Sequence, residues 1–474
     1  MHKNKIFREY DIRGVYGEDY NADFATLLGH AYTVYFRRHS EPGNHRARFR
    51  VAVGRDARPS GIEIGPKFIE ALLREGFDVY DLGIVPTPLA YFSAFHLDVD
   101  AAVSITGSHN PSEYNGFKLG FGKTTLHGEQ IQELREICEK LTTHVEGTTN
   151  TSMPGKSGMG TLTEKDVIPA YRADIKGRIK IARPLKVVVD SGNGTGCVVG
   201  PQLLAELGCE VIPLFCDLDG SFPNHHPDPT VVENLEDLIA AVKEHKADLG
   251  IAYDGDADRI GVVDETGRPI FGDELMVLYA REILSRKPGA TIISEVKSSN
   301  RLYNDIAKNG GRPIMWKTGH SLIKSKMKEE HAELAGEMSG HIFFADRYYG
   351  YDDAVYASAR LLELLSNQKN PLSTLLADLP PSISTPEIRV DCPDELKFEI
   401  VKLVRDRLSK KFKTIDIDGV RIETPQGWGL LRASNTQPVV VMRFEAQSEK
   451  ELSFLRKTVE DAFEAATREV QDKL

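Results

Sequence analysis

Short apolar runs alternate with amphipathic segments along most of this chain. Residues 50–53, 99–105, 186–190, 211–215, 248–253 and 291–296 read as buried strands. Helical spacing lies between them: Met276, Tyr279, Ala280 and Ile283 would share one face of a helix that follows the polar turn at Gly272 and Asp273. Such alternation predicts βαβ units and a largely parallel sheet in each domain. The pattern changes after Pro380 and Pro381. A strand at 388–390, a helix and a strand at 439–444 follow, and a closing helix sets Leu452, Leu455, Val459, Phe463 and Ala466 on one face. That last unit reads as α+β.

Three strand ends hint at an internal repeat. ITGSHN from Ile105, VDSGNG from Val189 and EVKSSN from Glu295 each stop an apolar strand in a small polar turn able to start a helix. A true repeat would give three related α/β domains followed by a different fourth one. In open α/β sheets ligands gather at the carboxyl ends of strands, where these turns lie. The polar, glycine-rich stretch 143–160 is the best linker. The expected domains are 1–158, 159–265, 266–380 and 381–474.

Length agrees, since 474 residues make three or four domains of about 100–200 residues each. A hydrophobic share of 41% with 27% charged residues is that of a soluble globular protein with real cores. The formal net charge of −11 argues against a nucleic-acid partner. It also means that any phosphate site must be a local concentration of Arg, Lys and backbone N–H. Cys138, Cys197, Cys209, Cys216 and Cys392 are scattered and form no CxxC pair, which points to a reducing compartment rather than to disulfides or zinc. No window approaches the roughly 18 apolar residues of a membrane span, and the N-terminus shows no signal-peptide core. The expectation is a cytoplasmic protein with no membrane partner.

Four motifs carry chemistry. DGDADR, residues 254–259, sets Asp254, Asp256 and Asp258 in a glycine-containing loop after a strand, a hard-oxygen cage for a divalent cation. The carboxylate spacing also matches an EF-hand, but Arg259 stands where that loop needs glycine, and a strand rather than a helix leads in. TGSHNPSEYNGFK, residues 106–118, presents Ser108 beside His109 in a bent loop, with Lys118 ten residues on. GEMSGH, residues 336–341, offers Glu337, Ser339 and His341 to sugar hydroxyls. RASNTQP, residues 432–438, offers Arg432, Ser434, Asn435 and Thr436 to a phosphate dianion. Taken singly, each could be an ordinary polar turn. No GxSxG elbow, GxGxxG fingerprint or GxxxxGK[ST] loop is present, which disfavours a serine hydrolase, a dinucleotide enzyme and a P-loop ATPase.

All four motifs in this order resemble the α-D-phosphohexomutase superfamily, most closely its bacterial phosphomannomutase/phosphoglucomutase group. The likeness extends to YDIRG (10–14), GRD (54–56), PTP (86–88), FPNHHPDP (222–229), WKTGHSLIK (316–324) and GWGLLRASNTQPVVVMRFEA (427–446). The resemblance implies three similar mixed α/β domains and a C-terminal α+β domain around a central cleft. It implies a phosphorylated Ser108, and one Mg²⁺ held by Asp254, Asp256, Asp258 and a phosphoserine oxygen. Glu337 and Ser339 would bind the sugar, and Arg432, Ser434, Asn435 and Thr436 the phosphate that is not reacting. Tyr10, Arg13, Lys118, Arg259, Lys297, His320 and His341 would line the cleft. Lys118 is the preferred proton-transfer group, with His109 and His341 as rivals. The expected reaction interconverts the 1- and 6-phosphates of mannose and of glucose through a hexose 1,6-bisphosphate, in a monomer. A phosphoglucosamine mutase is the nearest alternative, and an inactive phosphosugar-binding protein the next. The family's metal loop commonly reads DGDGDR; here Ala257 replaces the second glycine, which should leave metal binding intact unless that position needs φ > 0.

Overall fold

Four sheets follow one another along the chain. The computed structural model describes residues 4–40, 48–145, 158–435 and 437–472; most of the expected linker at 143–160 therefore lies outside the described residues. In the first sheet Arg50–Arg55 runs parallel to both Asp78–Ile84 and Ala101–Ile105. Tyr114–Phe121 then returns antiparallel along Ala101–Ile105. In the second, Lys186–Asp190 lies parallel between Glu210–Leu214 and Leu249–Tyr253, and Ile260–Asp264 returns. In the third, Thr291–Glu295 lies parallel between Arg312–Trp316 and Leu334–Gly336, and Ile342–Phe344 returns.

The same strand order thus occurs three times, but the hexapeptides that hinted at it are out of step. The hexapeptides from Val189 and Glu295 end the first parallel strand of their sheets, whereas the one from Ile105 ends the third. By topology the partners of Ile105 are Tyr253 and Gly336. Every strand on that side must turn out into a polar loop, so likeness between turns does not reveal which strand each one follows.

Two further expectations change. The strand expected to be buried at 211–215 is the sheet edge Glu210–Leu214, with Glu210 and Pro213 exposed; proline is tolerated there because an edge N–H has no partner to lose. The helix Gly272–Arg286 buries Met276, Tyr279, Ala280 and Ile283, but also Leu275, Val277 and Leu278. It is covered on more than one side, by the third sheet and by the helix Ala354–Ser366, so a single apolar face understates its burial.

The fourth sheet is antiparallel, in the order Ile383–Ser384, Val439–Ala446, Gly427–Ala433, Val420–Thr424 and Lys413–Ile415. Helices Asp394–Leu408 and Glu449–Gln471 pack on it; Leu452, Leu455, Val459 and Ala466 are buried and Phe463 is half-buried. One apolar core runs through the first three units, joining Phe92, Val187, Tyr253 and Tyr279. The fourth unit has its own core and meets the third through Val296, Trp428 and Leu430. Among the described residues no helix is long and apolar enough to cross a membrane.

Candidate active site

Each repeated unit ends its third parallel strand in a loop before the antiparallel return, and those three loops are 106–113, 254–259 and 337–341. The first two meet at Ser108. Its backbone is left-handed, with φ 51°, and its hydroxyl donates to Asp254 Oδ2 at 3.0 Å with His109 Nδ1 3.2 Å away. Lys118 stands on the return strand, where Ser104 is its cross-strand partner. Its ammonium donates to Asp256 Oδ2 at 2.8 Å and also to Asp258 Oδ2. Thr87 Oγ1 donates to the same Asp256 oxygen at 2.6 Å.

Asp254, Asp256 and Asp258 are fully buried, and each contributes a carboxylate oxygen within 4.8 Å of the others. Asp256 Oδ1 and Asp258 Oδ1 accept no hydrogen bond among the described residues, although His341 Nε2 lies 3.2 Å from the latter. Buried acceptors left over in an acidic cluster fit a hard cation with oxygen ligands. Burial, then Asp256 and Asp258, push Asp254 well above the usual carboxylate range. Burial also opposes the ionised form of Asp258, but Lys118 and His341 outweigh it and hold that group well below the range. Burial alone would lower Lys118; the two carboxylates reverse this and hold it well above the usual lysine range.

Ala257 sits at φ 57°, so the condition attached to the missing glycine applies. A left-handed alanine costs about 1 kcal/mol. The turn is held by Ala257 N donating to Asp254 O at 3.0 Å, and by Asp254 Oδ1 accepting from the backbone N–H of Asp258 and Arg259, each at 3.1 Å.

The third loop docks on the second. Ile260 N donates to Gly340 O at 3.0 Å, and a Cβ on Gly340 would lie 2.4 Å from Ile260 O. His341 Nδ1 is 2.9 Å from Glu337 Oε2 and 3.1 Å from Ser339 Oγ, while Nε2 lies 3.3 Å from Arg259 Nε. Burial disfavours a charged His341 ring, but Asp258 and Glu337 raise its pKa to about 9. Burial, Arg259 and Arg13 instead keep His109 well below the usual histidine range, and burial with Lys324 and Lys118 does the same to His320. The His320 and His341 rings lie 5.6 Å apart.

Tyr10 joins the remaining parts. Its hydroxyl donates to Thr318 O at 2.7 Å and accepts from Asn435 Nδ2 at 2.6 Å. Arg432 Nε donates to Asp418 Oδ2 at 2.9 Å, and Lys297 to Glu387 Oε2 at 2.9 Å. Arg13 Nη1 donates to Asn110 Oδ1 at 2.7 Å, beside the Ser108 loop. Ser434 Oγ accepts from Gln437 N at 3.1 Å, and Thr436 lies outside the described residues.

Sequence reasoning missed the carboxylates that organise these groups. Glu295 accepts from Met338 N at 2.9 Å and from Thr318 Oγ1. Asp352 accepts from Lys324 at 3.1 Å and lies 3.6 Å from His320 Nδ1. Asp418 holds Arg432 and also accepts from Thr318 N at 3.1 Å. Glu295 lies within a turn already singled out, and its place two residues before Lys297 was the one available signal. Nothing local marks Asp352 or Asp418.

Comparison with known proteins adds a second line of observation. Profiles of phosphoglucomutase/phosphomannomutase match in order: alpha/beta/alpha domain I over 4–144, domain II over 169–267, domain III over 271–383 and the C-terminal domain over 387–462. A phosphomannomutase/phosphoglucomutase of Pseudomonas aeruginosa is 49% identical over 452 residues, covering 95% of this chain and 94% of that protein. A phosphoglucomutase of Neisseria gonorrhoeae is 45% identical over 447 residues, covering 94% and 93%. The crystal structure of a phosphoglucomutase/phosphomannomutase family protein from Burkholderia thailandensis superimposes with a TM-score of 0.89 at 43% identity, covering 98% of each chain.

Proposed function

This chain belongs to the phosphoglucomutase/phosphomannomutase family, and from that premise we propose that it interconverts the 1- and 6-phosphates of glucose and mannose through a phosphorylated Ser108. The observation that carries the reading is the meeting of Ser108 Oγ with Asp254 at 3.0 Å, inside a buried acidic triad whose Asp256 Oδ1 has no hydrogen-bond partner among the described residues. Asp254, Asp256, Asp258 and an oxygen of phospho-Ser108 would hold Mg²⁺. When bound, that ion draws charge from the transferring phosphoryl group and competes with Lys118 for its two carboxylates.

The protein's own groups divide the remaining work. His109, neutral and 3.2 Å from Ser108 Oγ, is placed to accept the serine proton when phosphate arrives. Lys118 and His341, both held protonated, act as acids or as fixed positive charge in the first instance. Glu337 and Ser339 receive the sugar hydroxyls, with Glu337 fixed by the Gly319 N–H at 2.7 Å. Arg432, Ser434, Asn435 and Thr436 take the idle phosphate, while Tyr10, Arg13, Lys297 and His320 frame the sugar between them. A 1,6-bisphosphate that turns over in place presents either phosphate to the same grip and returns the other to Ser108. All four loops come from one chain, which supports a monomer, and free cysteines fit the reducing cytoplasm.

The test is turnover of mannose 1-phosphate and glucose 1-phosphate with Mg²⁺ and a trace of hexose 1,6-bisphosphate. Wild type should convert both sugars, and Ser108→Ala should lose at least about 10,000-fold. Full activity in the variant sinks the phosphoserine role. Turnover of glucosamine 6-phosphate in place of both hexoses sinks the substrate assignment.

A further inference from the structure

Arg58 belongs to none of the groups given a role above. It lies in the turn between the strand Arg50–Arg55 and the helix Gly61–Arg74, and it is 1% exposed. A guanidinium taken out of water is costly unless its donors are met, and it has five. All five are used. Nε donates to Asp56 Oδ2 at 2.9 Å. Nη1 donates to the carbonyls of Tyr114, at 3.1 Å, and Pro111. Nη2 donates to the carbonyls of Ser108, at 2.7 Å, and Asn110, at 2.5 Å. Four of the five acceptors are therefore backbone oxygens of the stretch from Ser108 to Tyr114.

Asp56 fixes the start of the same loop. Its Oδ2 accepts from Thr106 Oγ1 at 2.8 Å and from Gly107 N at 3.0 Å, and Thr106 Oγ1 in turn accepts from Ser108 N at 2.7 Å. The Phe222 ring, from the second unit, covers the guanidinium with 5.0 Å from Cζ to the ring centroid. Gly107 is needed for this approach, because a Cβ there would lie 2.5 Å from Arg58 Nε and 2.6 Å from Cζ. The loop so gripped holds Ser108 at φ 51°, a conformation that persists only where the surroundings over-determine it.

We propose that Arg58 is the positioning residue of the nucleophile: by binding four carbonyls of the loop it imposes the left-handed backbone that aims Ser108 Oγ at Asp254 and His109. This rests on Ser108 being the phosphoryl carrier. A lysine cannot take over the task, since an ammonium has three donors on one atom and no planar fork. Arg58 makes none of its hydrogen bonds to the groups assigned to sugar or idle phosphate, so its loss acts on the transfer step and not on substrate affinity.

Arg58→Lys, Gly107→Ala and wild type are compared as full chains. The readouts are circular dichroism, kcat and KM on glucose 1-phosphate, and the rate at which dephosphorylated enzyme takes a phosphoryl group from glucose 1,6-bisphosphate onto Ser108, followed by peptide mass spectrometry. Both variants should fold, with KM within about threefold of wild type and with kcat and the rate of Ser108 phosphorylation lower by about 100-fold. A folded Arg58→Lys with an unchanged phosphorylation rate overturns the proposal. If that variant does not fold, Gly107→Ala decides, and preserved kcat there overturns it. If neither folds, Arg58 serves the whole domain and the positioning role is rejected. A wild type that gains no phosphate on Ser108 would remove the phosphoserine reading itself, whereas equal rates in wild type and Arg58→Lys would remove only the role of Arg58.

Discussion

The two buried charge clusters of this site are built differently. Around Ser108, Asp256 and Asp258 share the Lys118 ammonium, Arg259 Nε lies 3.9 Å from Asp254 and His341 Nε2 3.2 Å from Asp258, and the three carboxylates and Lys118 are exposed by 2% or less. Around Lys297 and Arg432, each cation has a carboxylate from the fourth unit, Glu387 or Asp418, whose side chains keep 28% and 13% of their exposure, and Lys297 also lies 3.5 Å from the fully buried Glu295. The first cluster is sealed and leaves Asp256 Oδ1 without a hydrogen bond among the described residues, which fits a metal ion. In the second, Glu387 and Asp418 remain partly wetted, so exchanging them for a phosphate adds little desolvation. The placement follows the cores: the sealed cluster lies where units share one apolar core, the exchangeable one where a separately cored unit meets them.

The strongest way to break this comparison is Asp258→Asn. It should lower Mg²⁺ affinity and turnover roughly 1,000-fold, read by calorimetric titration and steady-state assay; unchanged metal binding would mean the acidic cluster is not the cation site. Next is Lys118→Met, which leaves Asp256 and Asp258 without their ammonium. The metal-free protein should lose about 3–5 kcal/mol, and saturating Mg²⁺ should restore much of it. Urea melts in chelator and in Mg²⁺ would show this, and equal losses in both would contradict a cation site at these carboxylates.

The smallest effect concerns the second cluster. Lys297 holds the Glu387 carboxyl down at about 2 from its ordinary 4.5. Folding therefore favours the ionised form, so this stabilisation is present above about pH 4.5 and is lost as pH falls toward 2. Glu387→Gln should flatten the stability curve in that window only, as measured by urea melts across pH. A variant curve parallel to wild type would show that the pair contributes nothing.

What was legible follows from what is local. Strands at 186–190 and 291–296, the acidic loop at 254–259 and the Ser108 turn depend on spacing within a few residues, and the structure places them within a residue of expectation. The three-fold topology was glimpsed, but its wrong strands were aligned, because polar turns at strand ends look alike. The edge position of Glu210–Leu214 went unread because an apolar run does not say how many neighbours a strand has. Asp352, Asp418 and Arg58 carry no signature, since their partners lie 28, 14 and about 50 residues away in sequence.

By itself the sequence determined the element types, the unlike fourth unit, and which residues could bind a cation, a sugar or a phosphate, because propensity, period and ligand chemistry are properties of short segments. Tertiary structure alone decided that Ser108 would face Asp254 across 146 residues, that Lys118 would be pinned as a cation, and that Arg58 would spend four hydrogen bonds on one loop. Those outcomes depend on burial and on which distant groups share a small volume, and neither quantity exists until the chain has packed.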